Sequence, residues 1–213
     1  MKDKFTYDNV VKGLITISLL FMAFGAKAAD FSGKVGIASD NYFRGISISD
    51  GFGYSAQGQL DLGNGIWAGA VVRSMDENLG ADYMTSTGLG YGFDLGGIEL
   101  GVSYVKHDYI SGGAQGWEDI SVNADFGPFQ VYYVMGQDDA GDYLNVTSSA
   151  LKVIDLQYGD DDLRGSFFEV SKSFDLGSGL VKIGYIDHED NDEDFTDKIT
   201  DVDNFYVGYS YYF

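Results

Sequence analysis

The sequence predicts an all-β fold: a closed, antiparallel, up-and-down transmembrane β-barrel of about ten strands. Three observations lead there. Segments near ten residues long alternate with period two, and the breaks between them fall into two classes that take turns along the chain. Beyond a short N-terminal apolar run, no stretch is long and apolar enough to cross a bilayer as a helix.

The N-terminal run reads as an export leader. Lys2, Lys4 and Lys12 supply a positive start, Leu14 to Phe24 an apolar stretch, and Ala26-Lys27-Ala28 a small-x-small cleavage pattern. Residues 1–28 are therefore expected to be a signal peptide cut after Ala28, with the barrel in 29–213. Removal takes away four lysines and two acids, which leaves 9 basic against 31 acidic residues, net −22. That balance argues against a nucleic-acid partner, which needs a basic footprint. The chain has no Cys, so disulfides, thiolate metal sites and Cys nucleophiles are excluded. No cofactor motif is present. The Gly88-Leu89-Gly90-Tyr91-Gly92 segment has no helix after it to receive a pyrophosphate. Its alternate glycines are expected to leave space inside the barrel or to let strands bend.

Alternation is strictest at the C-terminus. Phe205, Val207, Tyr209, Tyr211 and Phe213 share one face, and Asn204, Tyr206, Gly208, Ser210 and Tyr212 the other. The same pattern recurs in Ile98 to Tyr104, in Asp119 to Phe126 and in Phe129 to Met135. The short breaks carry the residues that tight hairpin turns require: Gly63-Asn64-Gly65, Leu95-Gly96-Gly97, Gly127-Pro128 and Leu176-Gly177-Ser178-Gly179. The long breaks are polar or acidic: 40–53, 76–81, 109–116, 138–164 and 187–202.

Between these breaks lie about ten strands, at 31–39, 54–62, 66–74, 82–94, 97–108, 117–126, 128–137, 164–175, 179–188 and 203–213. An even number returns both ends to one side, with tight turns in the periplasm and acidic loops outside. Leu144 to Tyr158 either extends a hairpin above the membrane or adds a pair that makes twelve. Closure follows from the solvent: in hydrocarbon an open sheet edge leaves backbone groups unsatisfied.

Gly208-Tyr209-Ser210-Tyr211-Tyr212-Phe213 resembles the C-terminal signal of barrels inserted by the outer-membrane assembly machinery, with Gly208, Tyr211 and Phe213 as its marks. Near the mature N-terminus, Tyr42-Phe43-Arg44-Gly45-Ile46-Ser47 is a Tyr-x-Arg-Gly-x-Ser element. Asp50-Gly51 and Gln57-Gly58-Gln59-Leu60-Asp61 follow it. This opening resembles that of the TorF family of porins; the rest of the mature chain matches only as a barrel pattern. The family commonly has Pro after the acidic-Gly step, where this chain has Phe52-Gly53-Tyr54. The resemblance implies an outer-membrane, pore-like protein and no particular solute. The expected surroundings are outer-membrane lipid and lipopolysaccharide of a Gram-negative bacterium, with small ions or solutes in the lumen.

If apolar faces meet lipid, Lys34, Asp61, Arg73, Glu99, Asp119, Asp125, Glu169 and Lys182 face inward, with Gln57, Gln59, Asn123 and Gln130. Arg44 either anchors the first loop through carboxylates or carbonyls, or selects ions at the lumen mouth. Acids outnumber bases, so a narrow, cation-leaning lumen is expected. Charges pairing across a small barrel and filling it are the opposing reading. His107 and His188 stand near the outer strand ends, beside Asp108, Asp187 and Glu189, where a rim hydrolase would need them. Wet rim histidines are the plainer expectation, and an enzyme is not expected. Asp190-Asn191-Asp192-Glu193-Asp194 starts like a calcium loop, but Phe195 replaces the required Gly and Asp201 the bidentate Glu. Three functions follow from these readings: a passive pore, a filled structural or adhesive barrel acting through its loops, and a rim-active hydrolase.

Overall fold

The computed structural model describes residues 30–49, 51–111, 115–137, 141–189 and 202–213. The leader and the acidic 190–201 segment lie outside them, and with the latter the calcium-like run. Twelve antiparallel strands close into one barrel, and two short strands form a separate hairpin. In chain order they are β1 (Asp30–Ala38), the hairpin strands β2 (Tyr42–Phe43) and β3 (Ile46–Ser47), then β4 (Gly53–Gly63), β5 (Ile66–Ser74), β6 (Tyr83–Asp94) and β7 (Glu99–Ile110). There follow β8 (Trp117–Phe126), β9 (Phe129–Gly136), β10 (Tyr143–Ser148), β11 (Asp155–Asp161), β12 (Gly165–Leu176), β13 (Gly179–Glu189) and β14 (Val202–Tyr212). Each barrel strand pairs with its chain neighbours, and β1 closes the ring on β14. Past the last strand, Gly33 N donates to Phe213 O at 2.8 Å and Phe213 N to Gly33 O at 3.1 Å.

The count corrects the expected ten. The segment 138–164, read as a long outer break in which Leu144 to Tyr158 extends a hairpin or adds a strand pair, contains that pair as β10 and β11. They are joined by 149–154 at the same end as the tight turns. That turn, Ser-Ala-Leu-Lys-Val-Ile, has no Gly, Asn or Pro to mark it; Lys152 takes a positive φ of 59° instead. The segment 40–53 is corrected too. It does not stand outside the barrel: it carries β2 and β3, which fold into the lumen.

Period-two alternation sorts the side chains. Outward positions hold Ile37, Leu89, Val102, Val122, Phe168, Ile183 and Val207, all well exposed, and Phe205 reaches 77% exposure. An apolar outside around a closed sheet inverts the pattern of a water-soluble domain and fits hydrocarbon as solvent. At the turn end, outward aromatics cluster. Phe126 stacks on Phe129 at 5.9 Å between centroids, Tyr91 on Phe93 at 5.7 Å, and Phe31 lies against Phe213 at 6.2 Å. Inside, Gly90 makes room for the ring of Trp67, whose Cε2 lies 2.5 Å from where a Cβ would stand.

Candidate lumen site

Register places the sequence-predicted lumen residues on one face. Lys34 stands opposite Gln57, Asp30 opposite Asp61, and Ser55 opposite Arg73. Glu99 stands opposite Asp125, and Gln157 opposite Glu169. Asp119 falls on the Glu99–Asp125 face of the β7–β8 pair, two-residue steps from Asp125. Lys182 stands opposite Ser173 and forms an ion pair with Glu169, Nζ to Oε1 2.6 Å. Thus Lys34, Asp61, Arg73, Glu99, Asp119, Asp125, Glu169 and Lys182 all point inward. Seven inward acids lie within a few residues of the turn end: Asp30, Asp61, Asp94, Glu99, Asp125, Asp155 and Asp175. Two also cap their own turns: Asp61 accepts from Gly63 N at 2.7 Å and Asp94 from Gly97 N at 3.3 Å.

Arg44 occupies the lumen by another route. The β2–β3 hairpin turns on Arg44 and Gly45, with φ of 49° and 88°. Two successive positive values define the tight turn whose twist suits a two-residue hairpin. Gly45 is required twice over, since a Cβ there would lie 2.2 Å from the Phe167 ring on β12. The hairpin base is tied by polar bonds. Ser47 and Ser49 hydroxyls donate to the Asp40 carboxylate at 2.7–2.8 Å, and Asn41 Nδ2 donates to Ser74 Oγ at 3.1 Å. Its flanks are apolar: Ile46 and Ile48 pack with Met84. Ahead of the tip, Val134, Tyr143, Phe167 and Ile186 form a second buried cluster against Tyr42.

From the tip, Arg44 spans the barrel. Nη2 bonds Asp119 Oδ2 on β8 at 2.5 Å, and Nη1 bonds Asp161 Oδ2 on β11 at 3.2 Å. All three side chains are buried, Asp161 completely. A forked, permanently charged guanidinium suits such a bridge between two carboxylates. Each carboxylate has further donors. Asp119 receives His107 Nε2 at 2.9 Å and Trp117 Nε1 at 3.2 Å, and Asp161 receives Arg164 Nη1 at 2.9 Å. Arg44 is thus a buried cross-link to the barrel wall, and its partners are strand residues where loop carboxylates were expected.

The histidines are not wet rim residues. His107 and His188 are 6% and 1% exposed and face inward, His188 opposite Phe167. Ser86 Oγ lies 2.9 Å from His107 Nδ1, which completes a Ser–His–Asp chain with Asp119. Ser86 is itself buried, and Asp119 is already bonded to Arg44. The chain therefore extends the hairpin anchor. Sequence reasoning missed Asp161, Arg164 and Ser86. Asp161 ends a strand that lacked turn signals, and Ser86 is one of many serines in alternating segments.

Beside the hairpin lies a cavity of about 340 Å³ between it and the β1, β12–β14 wall, lined among others by Lys34, Ser55, Tyr42, Glu169, Lys182 and Ser210.

No protein-family model matches the chain. No curated protein sequence matches it either. Among solved structures, the chain is similar to the KdgM porin, with TM-score 0.52 and 13% identity over 84% of this chain and 98% of that one. The KdgM porin in complex with disordered oligogalacturonate gives TM-score 0.51 and 11% identity over 86% and 98%. An outer membrane channel from Pseudomonas putida F1 gives TM-score 0.44 and 13% identity over 88% and 96%. At these identities the likeness to the KdgM porin bears on the fold alone, which is that of an outer-membrane porin-like barrel.

Proposed function

We propose that the protein is an outer-membrane channel for small ions or polar solutes, narrow and cation-leaning, with the β2–β3 hairpin held in its lumen. The observation that carries this reading is the polar, acid-rich inward face beneath an apolar exterior. Seven carboxylates around the turn-end mouth create a negative potential that raises local cation concentration. The mouth opens to the periplasm if the chain is inserted with its termini inside, as is general for such barrels. The expected setting is the outer membrane of a Gram-negative bacterium, in contact with lipopolysaccharide. Delivery there rests on the leader in residues 1–28 and on Gly208, Tyr211 and Phe213 as the signal to the assembly machinery. The transport is passive, and no cofactor enters it.

One observation favours a second reading, a filled barrel whose loops do the work: both buried clusters inside the lumen pack on the hairpin. Planar-bilayer recording in a potassium chloride gradient separates the two. A channel gives discrete conductance with a reversal potential on the cation side. The double variant Glu99→Gln, Asp125→Asn moves that potential towards zero. Absence of conductance above background, with the barrel folded, sinks the channel reading.

A further inference from the structure

Three cationic side chains inside the barrel are paired with carboxylates among the described residues, and two, Arg73 and Lys34, are not. Arg44 binds Asp119 and Asp161, Arg164 binds Asp161, and Lys182 binds Glu169. Lys34, in the middle of β1 and half-buried, has no carboxylate within salt-bridge distance and no hydrogen-bond partner among the described residues. In a chain with 33 acids this is unexpected, because an acidic neighbour was easy to supply. Register sets two further cations on the same wall, Arg73 in the Gly36–Ser55 row and Lys182 in the Ala38–Gly208 row. A half-buried cation among cations is unfavourable unless an anion joins it.

Two hydroxyls converge on the next inward position of β1. Gly36, one inward step above Lys34, has no side chain. A Cβ there would lie 3.2 Å from both Ser55 Oγ on β4 and Ser210 Oγ on β14. Neither hydroxyl has a side-chain hydrogen bond among the described residues. Lys34, Gly36, Ser55 and Ser210 line the same 340 Å³ cavity. The notch over Gly36 thus has a hydroxyl on each side and the Tyr209 carbonyl at 3.3 Å, and the free Lys34 side chain, one inward step along β1, lines the same cavity. The other charges around the cavity, Asp40, Arg44, Glu169 and Lys182, are all engaged with one another or with the hairpin and the wall.

We propose that Lys34, Ser55 and Ser210 form a carboxylate-binding subsite over Gly36, which receives the carboxylate group of a small polar solute inside the lumen. One cationic donor and two neutral ones suit a monoanion with two oxygens better than a dianion. The acids at the turn end disfavour simple anions there, so the subsite takes its ligand from the cavity side, beneath the hairpin. Binding at this subsite does not depend on whether the barrel conducts.

Ligand-observed NMR titration of the purified barrel in detergent tests it with two probes that differ by one group, lactate and propane-1,2-diol. Saturable lactate binding, weakened by added salt, with no saturable diol binding, is expected. Lys34→Met and Gly36→Val should each weaken lactate by about tenfold or more, whereas Lys34→Arg retains it. Heat-modifiable mobility on gels checks that each variant remains a folded barrel. Equal binding of both probes, lactate binding unchanged in folded Lys34→Met, or tighter binding of inorganic phosphate than of lactate would overturn the assignment. Because the readout is equilibrium binding, a silent bilayer recording would leave this result standing on its own.

Discussion

Replacing Arg44 with Ala should free the hairpin from the barrel wall. The guanidinium makes two charge-assisted bonds, to Asp119 and Asp161, between side chains that are almost wholly shielded from water. Breaking a buried ion pair by removing one partner costs about 3–5 kcal/mol, because it strands the opposite charge. Here the stranded carboxylates keep His107, Trp117 and Arg164, so the lower end, about 3 kcal/mol, applies. Nearly all of that loss falls on the docked hairpin, since the barrel ladders do not involve Arg44. The ratio of undocked to docked hairpin then rises by about a hundredfold. In single-channel recordings this appears as a higher open probability or a larger conductance step than in the wild type. Arg44→Lys, which keeps the charge and loses the fork, should fall between the two. An Arg44→Ala barrel that stays folded yet conducts as the wild type does would refute the idea that this bridge holds the hairpin in the conducting lumen.

Three further outcomes follow from particular contacts. Gly45→Val combines a positive φ of 88° with a Cβ 2.2 Å from the Phe167 ring, so it should raise conductance as Arg44→Ala does while leaving Arg44 in place. Deleting Phe213 removes the pair of backbone bonds to Gly33 and the outward ring against Phe31. The yield of folded barrel in outer-membrane fractions should fall several-fold, and equal yield would free the C-terminus of an assembly role. Mass spectrometry of the protein taken from membranes should give an N-terminus at Ala29, and an intact Met1 would remove the leader assignment.

Much of the barrel was legible because its rules are local. A strand alternates faces every residue, so Glu99, Asp119 and Asp125 could be set on one side of the sheet from spacing alone, and register agrees. Tight turns were found wherever Gly, Asn or Pro marks them. The β10–β11 turn was missed for the same reason: its positive φ falls on Lys152, a residue type that gives no such sign. The short strands on either side, six and seven residues, were too brief to stand out by alternation.

The sequence alone determined the closed, inside-out character of the sheet, since period two and the lack of a spanning helix admit few alternatives in a bilayer. It also marked Arg44 within a recognisable hairpin element. Its partners were decided only by closure of the ring. Asp119 and Asp161 stand 75 and 117 residues away on separate strands, and Gly36, one inward step from Lys34, stands opposite both Ser55 and Ser210. Spacing along a strand fixes which way a side chain points, but what lies across the lumen depends on strand number and register around the whole barrel.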